Sequence, residues 1–175
     1  SFIASTAVIM HLGAVPVFVD VSPDQNIDPA KMESAITEKT KAIMPVHLSG
    51  RVCDMDAIME IAKKHKLKVV EDAAQAISSK YKGKPSGSIG HVGCFSAHPL
   101  KNLNACGDGG FLTTNDSDLY TKAKSLRNHG IVDRDMVESF GYVSRMDNLQ
   151  AAILNYRLKK LDRIIDKRRK NAQLY

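Results

Sequence analysis

The sequence predicts an α/β fold built on a mainly parallel sheet. Short β-rich runs alternate with helix-period runs along the chain, the pattern of strand–helix–strand units. One run, LKVVEDA (67–73), is almost continuously apolar until it ends in two acids, as a strand buried in such a sheet would be. Composition is that of an ordinary globular chain: 175 residues, 43% apolar and 25% charged, which argues against disorder.

The elements follow in order. Gly13 is a helix stop, and VPVFVDV (15–21) after it reads as a strand. PAKMESAI (29–36) reads as a short helix, with Asp28 as N-cap and Pro29 at the first helical position. KAIMPVHL (41–48) is the next strand. MDAIMEIAKKH (55–65) is an amphipathic helix whose Met55, Ile58, Met59 and Ala62 share one face, with Asp54 as a cap. LKVVEDA is the third strand. Residues 78–90, rich in Gly, Ser and Lys, read as a turn-laden loop. HVGCFSA (91–97) and GGFLTTN (109–115) are strands. A helix over 116–128 starts at an Asn115/Asp116 cap and stops at Gly130. Residues 131–145 read as irregular. A long helix runs from Met146 to the end, with Leu149, Ile153, Tyr156, Leu161 and Ile164 as its buried positions.

Net charge is +6, and its distribution matters more than its size. RLKKLDRIIDKRRK (157–170) holds eight Lys/Arg against two Asp, and the rest of the chain balances. With no aromatic ladder or zinc-finger spacing, this reads as a solvated helix face rather than a nucleic-acid patch. Cys53, Cys94 and Cys106 are odd in number and scattered, which suits a reducing cytoplasm and not a disulfide framework. The six His do not fall into ligand spacing, so no metal is expected. No apolar run is long enough to span a bilayer, and SFIASTAVIM lacks the basic start of a signal peptide. The chain opens without Met, mid-pattern, so the expectation is a piece of a longer enzyme.

Chemistry is expected beyond the carboxyl ends of the strands. Two ends stand out. Glu71-Asp72 directly follows LKVV, with small Ala residues beside it that would admit a flat ligand; the competing reading is a helix N-cap pair. Ser96 ends the next strand, and a loop through Pro99 presents Lys101 before the Gly-rich turn Gly107-Asp108-Gly109-Gly110. An amine, a strand-end acid, a hydroxyl and a Gly-rich turn are what pyridoxal phosphate needs. Its aldehyde takes a Lys, its pyridine nitrogen takes a carboxylate, and its phosphate takes hydroxyls and N–H groups. Nucleotide motifs do not compete: there is no GxGxxG, and GKPSGS (83–88) lacks the closing Lys-Ser/Thr of a Walker A loop.

The strings VVEDAAQA (69–76), GCFSAHPLKNLNACGDGG (93–110), KAIMPVHLSG (41–50), LRNHG (126–130) and RMDNLQAAIL (145–154), with SFIAS at the start, resemble the DegT/DnrJ-type sugar aminotransferases. The resemblance covers essentially the whole chain. It implies the large domain of pyridoxal-phosphate fold type I, a three-layer sandwich around a mainly parallel sheet. Residues 1–175 would be its central part, between a phosphate loop before residue 1 and a small C-terminal domain after Tyr175.

The resemblance also implies roles. Lys101 is similar to the lysine that binds the cofactor aldehyde and shuttles the proton. Asp72 is similar to the pyridinium partner, Gln75 to the residue on the ring hydroxyl, Ser96 to the phosphate-binding hydroxyl, and Phe2 to an aromatic over the ring. His98 and His47 are substrate candidates. The implied partners are glutamate as amino donor, a nucleotide-linked keto sugar, and a second subunit of a cytoplasmic homodimer, with no nucleic acid and no membrane. The implied product is an amino sugar for a surface polysaccharide. Relatives that act as sugar dehydratases carry His where this chain has Lys101. The resemblance also accommodates a cyclitol aminotransferase, or a regulator or binding protein that keeps the fold without turnover. Two departures stand out. Val143 replaces an Asn that reaches the neighbouring subunit's cofactor phosphate, and Ser49 replaces an aromatic after PVHL.

Overall fold

The structure, a computed structural model, describes residues 2–175. Helix α1 (Ile3–His11) buries no residue, and Gly13 ends it from φ +70°, its N–H on the Met10 carbonyl. The helix stop expected at Gly13 is therefore present. The strand expected at 15–21 is not: only an isolated bridge joins Val21 to Ile27. Val15, Val17 and Phe18 are all exposed, and a β-prone run without a strand beside it has no ladder to enter.

Helix α2 (Pro29–Met32) is capped as expected, Asp28 Oδ1 accepting the Ala30 N–H at 3.0 Å. It tightens into a 3₁₀ turn at Glu33–Ala35, so the expected helix is split. Strand β1 (Ala42–Ile43) is much shorter than expected, although Val46 still bridges Asp72 in parallel. Helix α3 (Met55–Lys64) buries Met55, Ile58 and Ala62, and Asp54 accepts the Ala57 N–H. Strand β2 (Lys68–Asp72) follows. The loop at 78–90 contains a small antiparallel hairpin, β3 (Lys80–Tyr81) with β4 (Lys84–Pro85). Tyr81 donates to Asp54, and Lys82 pairs with Asp56, tying this hairpin to the start of α3.

Strand β5 (Val92–Ser96) pairs in parallel with β2, Asp72 opposite Cys94, and β2 pairs in parallel with β1. Gly93 is buried where β5 runs against the preceding loop: a Cβ there would lie 2.3 Å from the Gly87 Cα. Strand β6 (Gly110–Thr113) and helix α4 (Ser117–Leu126) come next, with Asp116 capping the Asp118 and Leu119 N–H groups. Residues 131–145 are not wholly irregular. They hold the hairpin β7 (Ile131–Asp133) with β8 (Met136–Val137). The expected long helix is two, α5 (Asn148–Leu158) and α6 (Leu161–Ala172), broken at Lys159–Lys160. Leu161 is buried as expected, but Leu149 and Tyr156 are exposed and Leu154 takes the buried place.

The chain is thus α/β with a mainly parallel sheet. It forms two compact units, Ser1–Phe95 and Ser96–Tyr175. The core of the first gathers Met32, Ile43, Cys53, Met55, Ile58, Ala62, Leu67 and Val69. Ile58 and Val69 are 0% exposed, and truncating such a side chain to Ala costs about 2–5 kcal/mol. Among the described residues no helix is long and apolar enough to cross a membrane.

Candidate active site

In the first unit the site grows from the end of β2. Alternation along a strand sends consecutive side chains to opposite faces, and here it separates Glu71 from Asp72. The Asp72 backbone is fixed by two bonds from the neighbouring stretch: its N–H donates to the Pro45 carbonyl at 2.9 Å, and its C=O accepts the His47 N–H at 3.0 Å. Its half-buried carboxylate accepts the Ser5 hydroxyl at 2.6 Å on Oδ2 and the Ala74 N–H at 3.1 Å on Oδ1. Each oxygen keeps a lone pair for another donor. Three residues on, Gln75 Oε1 accepts the Ser49 N–H at 2.7 Å, which leaves the Nε2 end of the amide to donate. Phe2 stands at the start of α1, 69% exposed.

Glu71 faces the other way and is 0% exposed. Burial alone would raise its pKa. The hydrogen bond from His47 Nε2 at 2.9 Å, with the N–H groups of Gly90, Gly87 and Ile89, outweighs burial and holds the carboxyl below its ordinary value. His47 is 0% exposed too. Its Nδ1 accepts the Cys53 N–H at 3.3 Å and lies 3.4 Å from the Cys53 Sγ. Cys53 donates its own Sγ–H to the Val46 carbonyl, and burial, then the Asp24 charge, push its thiol up to about 12. Both ring nitrogens of His47 are therefore spent inside the first unit. That setting differs from the substrate role expected of it.

In the second unit Ser96 opens a tightly bonded turn. Its Oγ accepts the His98 N–H at 3.2 Å, so its own O–H is the donor left for a ligand. His98 Nδ1 accepts the Leu100 N–H at 3.2 Å, and the His98 carbonyl accepts the Lys101 N–H at 2.8 Å. His98 is thus a brace of the lysine turn. Asn104 closes that turn by donating to the Pro99 carbonyl. Ala97 accepts the Ala105 N–H and donates to the Gly109 carbonyl, both at 2.8 Å, fixing the base of the loop. The Gly-rich turn beyond is held by Gln150, whose Oε1 accepts the Cys106 N–H at 2.8 Å. Lys101 is half-buried in that turn.

The structure brings Asp72 and Gln75 together with Ser5 and Ser49, and Ser96, His98 and Lys101 into one turn. Ser5, Asn104 and Gln150 were not legible as site residues, and Ser49 stood out only as a departure from an aromatic, not as the backbone donor to Gln75. Ser5 lies inside SFIAS, yet nothing local marks its hydroxyl as the partner of an acid 67 positions away. Val143, in place of an amide side chain, is exposed on an isolated bridge to Asn128. Among the described residues no three His, Cys, Asp or Glu side chains gather as a metal group.

An α/β chain that sets polar side chains at the carboxyl ends of its parallel strands is of the class that binds ligands there. The chain belongs to the DegT/DnrJ/EryC1/StrS aminotransferase family, which it matches over residues 1–175. It is 51% identical to the pleiotropic regulatory protein of Geobacillus stearothermophilus, over all of this chain and 47% of that protein. It is 46% identical to the UDP-N-acetyl-3-dehydro-alpha-D-glucosamine 3-aminotransferase of Acidithiobacillus ferrooxidans, over all of this chain and 48% of that enzyme. The crystal structure of NtdA from Bacillus subtilis with bound cofactor PMP superposes with a TM-score of 0.85 at 42% identity, over 92% of this chain and 37% of that one. The chain spans about half the length of the curated relatives it matches.

Proposed function

We propose that the whole protein is a pyridoxal-phosphate-dependent aminotransferase that moves the amino group of glutamate onto a keto sugar carried by a nucleotide. The observation that carries this reading is the Ser96–Lys101 turn in a chain of this family: a lysine in a braced loop that opens on a hydroxyl with its proton left to donate. The donor chemistry elsewhere fits the cofactor. Asp72 keeps a lone pair for a ring N–H, and Gln75 keeps an N–H for a ring oxygen. When bound, the cofactor supplies an aldehyde and a ring that spreads negative charge.

Each residue then has one task. Lys101 would bind the cofactor aldehyde through Nζ and is the residue that would hold and move the proton at the α-carbon of the amino donor. Asp72 holds a proton on the ring nitrogen, which favours the charge that develops. Ser96 Oγ–H binds phosphate. Phe2 covers the ring, and His98 shapes the substrate side of the lysine turn. Residues 1–175 form the central part of the large cofactor domain of a cytoplasmic homodimer. The substrate class is supported by the relative named for a UDP-linked keto sugar; the product would serve a surface polysaccharide.

The relative from Geobacillus stearothermophilus, named a pleiotropic regulatory protein, favours a second reading, a regulator that keeps the fold and cofactor without turnover. Borohydride reduction of the full-length protein loaded with pyridoxal phosphate, followed by peptide mass spectrometry, tests the first. A pyridoxyl adduct on Lys101, absent from Lys101→Ala, is expected, together with turnover of keto sugar nucleotides by glutamate. An adduct without turnover of any of them would support the regulator. No adduct, or one on another lysine, would sink the mechanism.

A further inference from the structure

We propose that the turn at His47–Ser49 is the positioning element for both ring-binding side chains, Asp72 and Gln75; the proposal rests on the cofactor reading above. His47 grips β2 twice. Its backbone N–H donates to the Asp72 carbonyl at 3.0 Å, and its ring Nε2 meets the carboxylate of the preceding residue, Glu71, at 2.9 Å. Because the Cys53 N–H points at Nδ1, Nε2 is the nitrogen left to donate. Two residues on, the Ser49 N–H donates to Gln75 Oε1 at 2.7 Å. A backbone donor can meet only the oxygen of an amide, so this contact decides which way round Gln75 sits and turns its Nε2 outward.

Ser49 does this from φ +53°, a conformation that non-glycine residues seldom adopt. The turn holds it there. Gly50 N–H donates to the His47 carbonyl at 3.2 Å and Arg51 N–H to the Leu48 carbonyl at 3.0 Å. Asn26, only 2% exposed, accepts the Leu48 N–H at 3.1 Å and donates to the Arg51 carbonyl at 3.1 Å. One braced turn thus aims an acid through a strand and an amide through a direct bond. His47 acts here as a positioning residue, sealed in with both ring nitrogens used.

The test compares the full-length wild type with His47→Leu, His47→Gln and Cys53→Ala. Amide exchange at positions 47, 49 and 72 is measured without cofactor. Pyridoxal phosphate is then titrated by its absorbance, and thermal midpoints are recorded. His47→Leu is expected to speed exchange at 47 and 72, alter the absorbance of the bound cofactor and weaken its binding about tenfold. His47→Gln, which can still donate to Glu71, recovers most of both. Cys53→Ala lowers the thermal midpoint and leaves exchange and binding near wild type. Wild-type binding and exchange in folded His47→Leu overturn the proposal, and so does an equal loss in Cys53→Ala, which would mean general loosening. If His47→Leu does not fold, His47→Gln decides: near-wild-type exchange and binding uphold the proposal, and a loss of about tenfold overturns it. A wild type that binds no pyridoxal phosphate sinks the cofactor reading instead, and the exchange measurements alone then decide the positioning role.

Discussion

Glu71 and Asp72 are consecutive acids on one strand, and they meet opposite surroundings. Glu71 is sealed in, and its oxygens take one imidazole and three backbone N–H groups. Asp72 is half-buried and takes one hydroxyl and one N–H. A buried charge that has spent its lone pairs can only hold structure. A charge at a strand end with lone pairs to spare can still bind something. The same contrast separates His47, with both ring nitrogens used, from Lys101, which among the described residues is held only through its backbone N–H on the His98 carbonyl.

Substitutions at these residues put that contrast to the test. On the chemical side, Lys101→Ala should reduce turnover by about 10⁴-fold or more while leaving the thermal midpoint near wild type; steady-state assays and a melting curve check both. Asp72→Asn keeps the shape and the Ser5 contact region but removes the charge, and should lower kcat by about 10²–10³-fold. A full-activity Asp72→Asn would show that its spare lone pair is idle. On the structural side, Glu71→Leu strands the His47 donor and three N–H groups. It should cost about 3 kcal/mol in denaturant unfolding, against less than about 1 kcal/mol for Asp72→Asn. If the two acids cost the same, the contrast is wrong.

Acid titration gives a gentler version. Glu71's carboxyl is held below its ordinary value of 4.5. Its stabilisation is therefore complete above that pH and is lost as pH falls through the lowered value. Urea midpoints measured downward from pH 6 should fall more steeply below about pH 4.5 in wild type than in Glu71→Gln. The smallest effect belongs to Ser49→Gly, which keeps the N–H on Gln75 and relieves the left-handed strain. It should gain about 0.5–1 kcal/mol and bind cofactor as wild type does.

These contrasts were only partly open to a reader of the sequence. EDAAQA and the Ser96–Lys101 loop were legible because strand ends, Pro and Gly punctuate them. The α3 face was legible because Met55, Ile58 and Ala62 repeat at helical spacing. The Asp28 and Asp54 caps followed from residue type. VPVFVDV failed because strand character alone does not supply a neighbour to pair with. The break between α5 and α6 failed because Lys159–Lys160 carries neither Gly nor Pro, so the helical period runs on through it. Leu154 rather than Leu149 became the buried position because packing, not period, chose the face. Ser5, Ser49 and Gln150 act across long stretches of chain, and no local spacing encodes such contacts.

The meeting of Gly93 with Gly87 has a consequence for how this chain can drift. Any side chain at 93 would have to occupy the space of a neighbouring backbone atom, so no partial accommodation is open to it. Gly83, with open space around it at φ +83°, faces only a conformational preference that Asn or Asp can meet. A library randomised at both codons and sorted for folded protein should return glycine alone at 93 and a small polar repertoire at 83. The same residue type would then mark a frozen site in one place and a permissive one ten residues away.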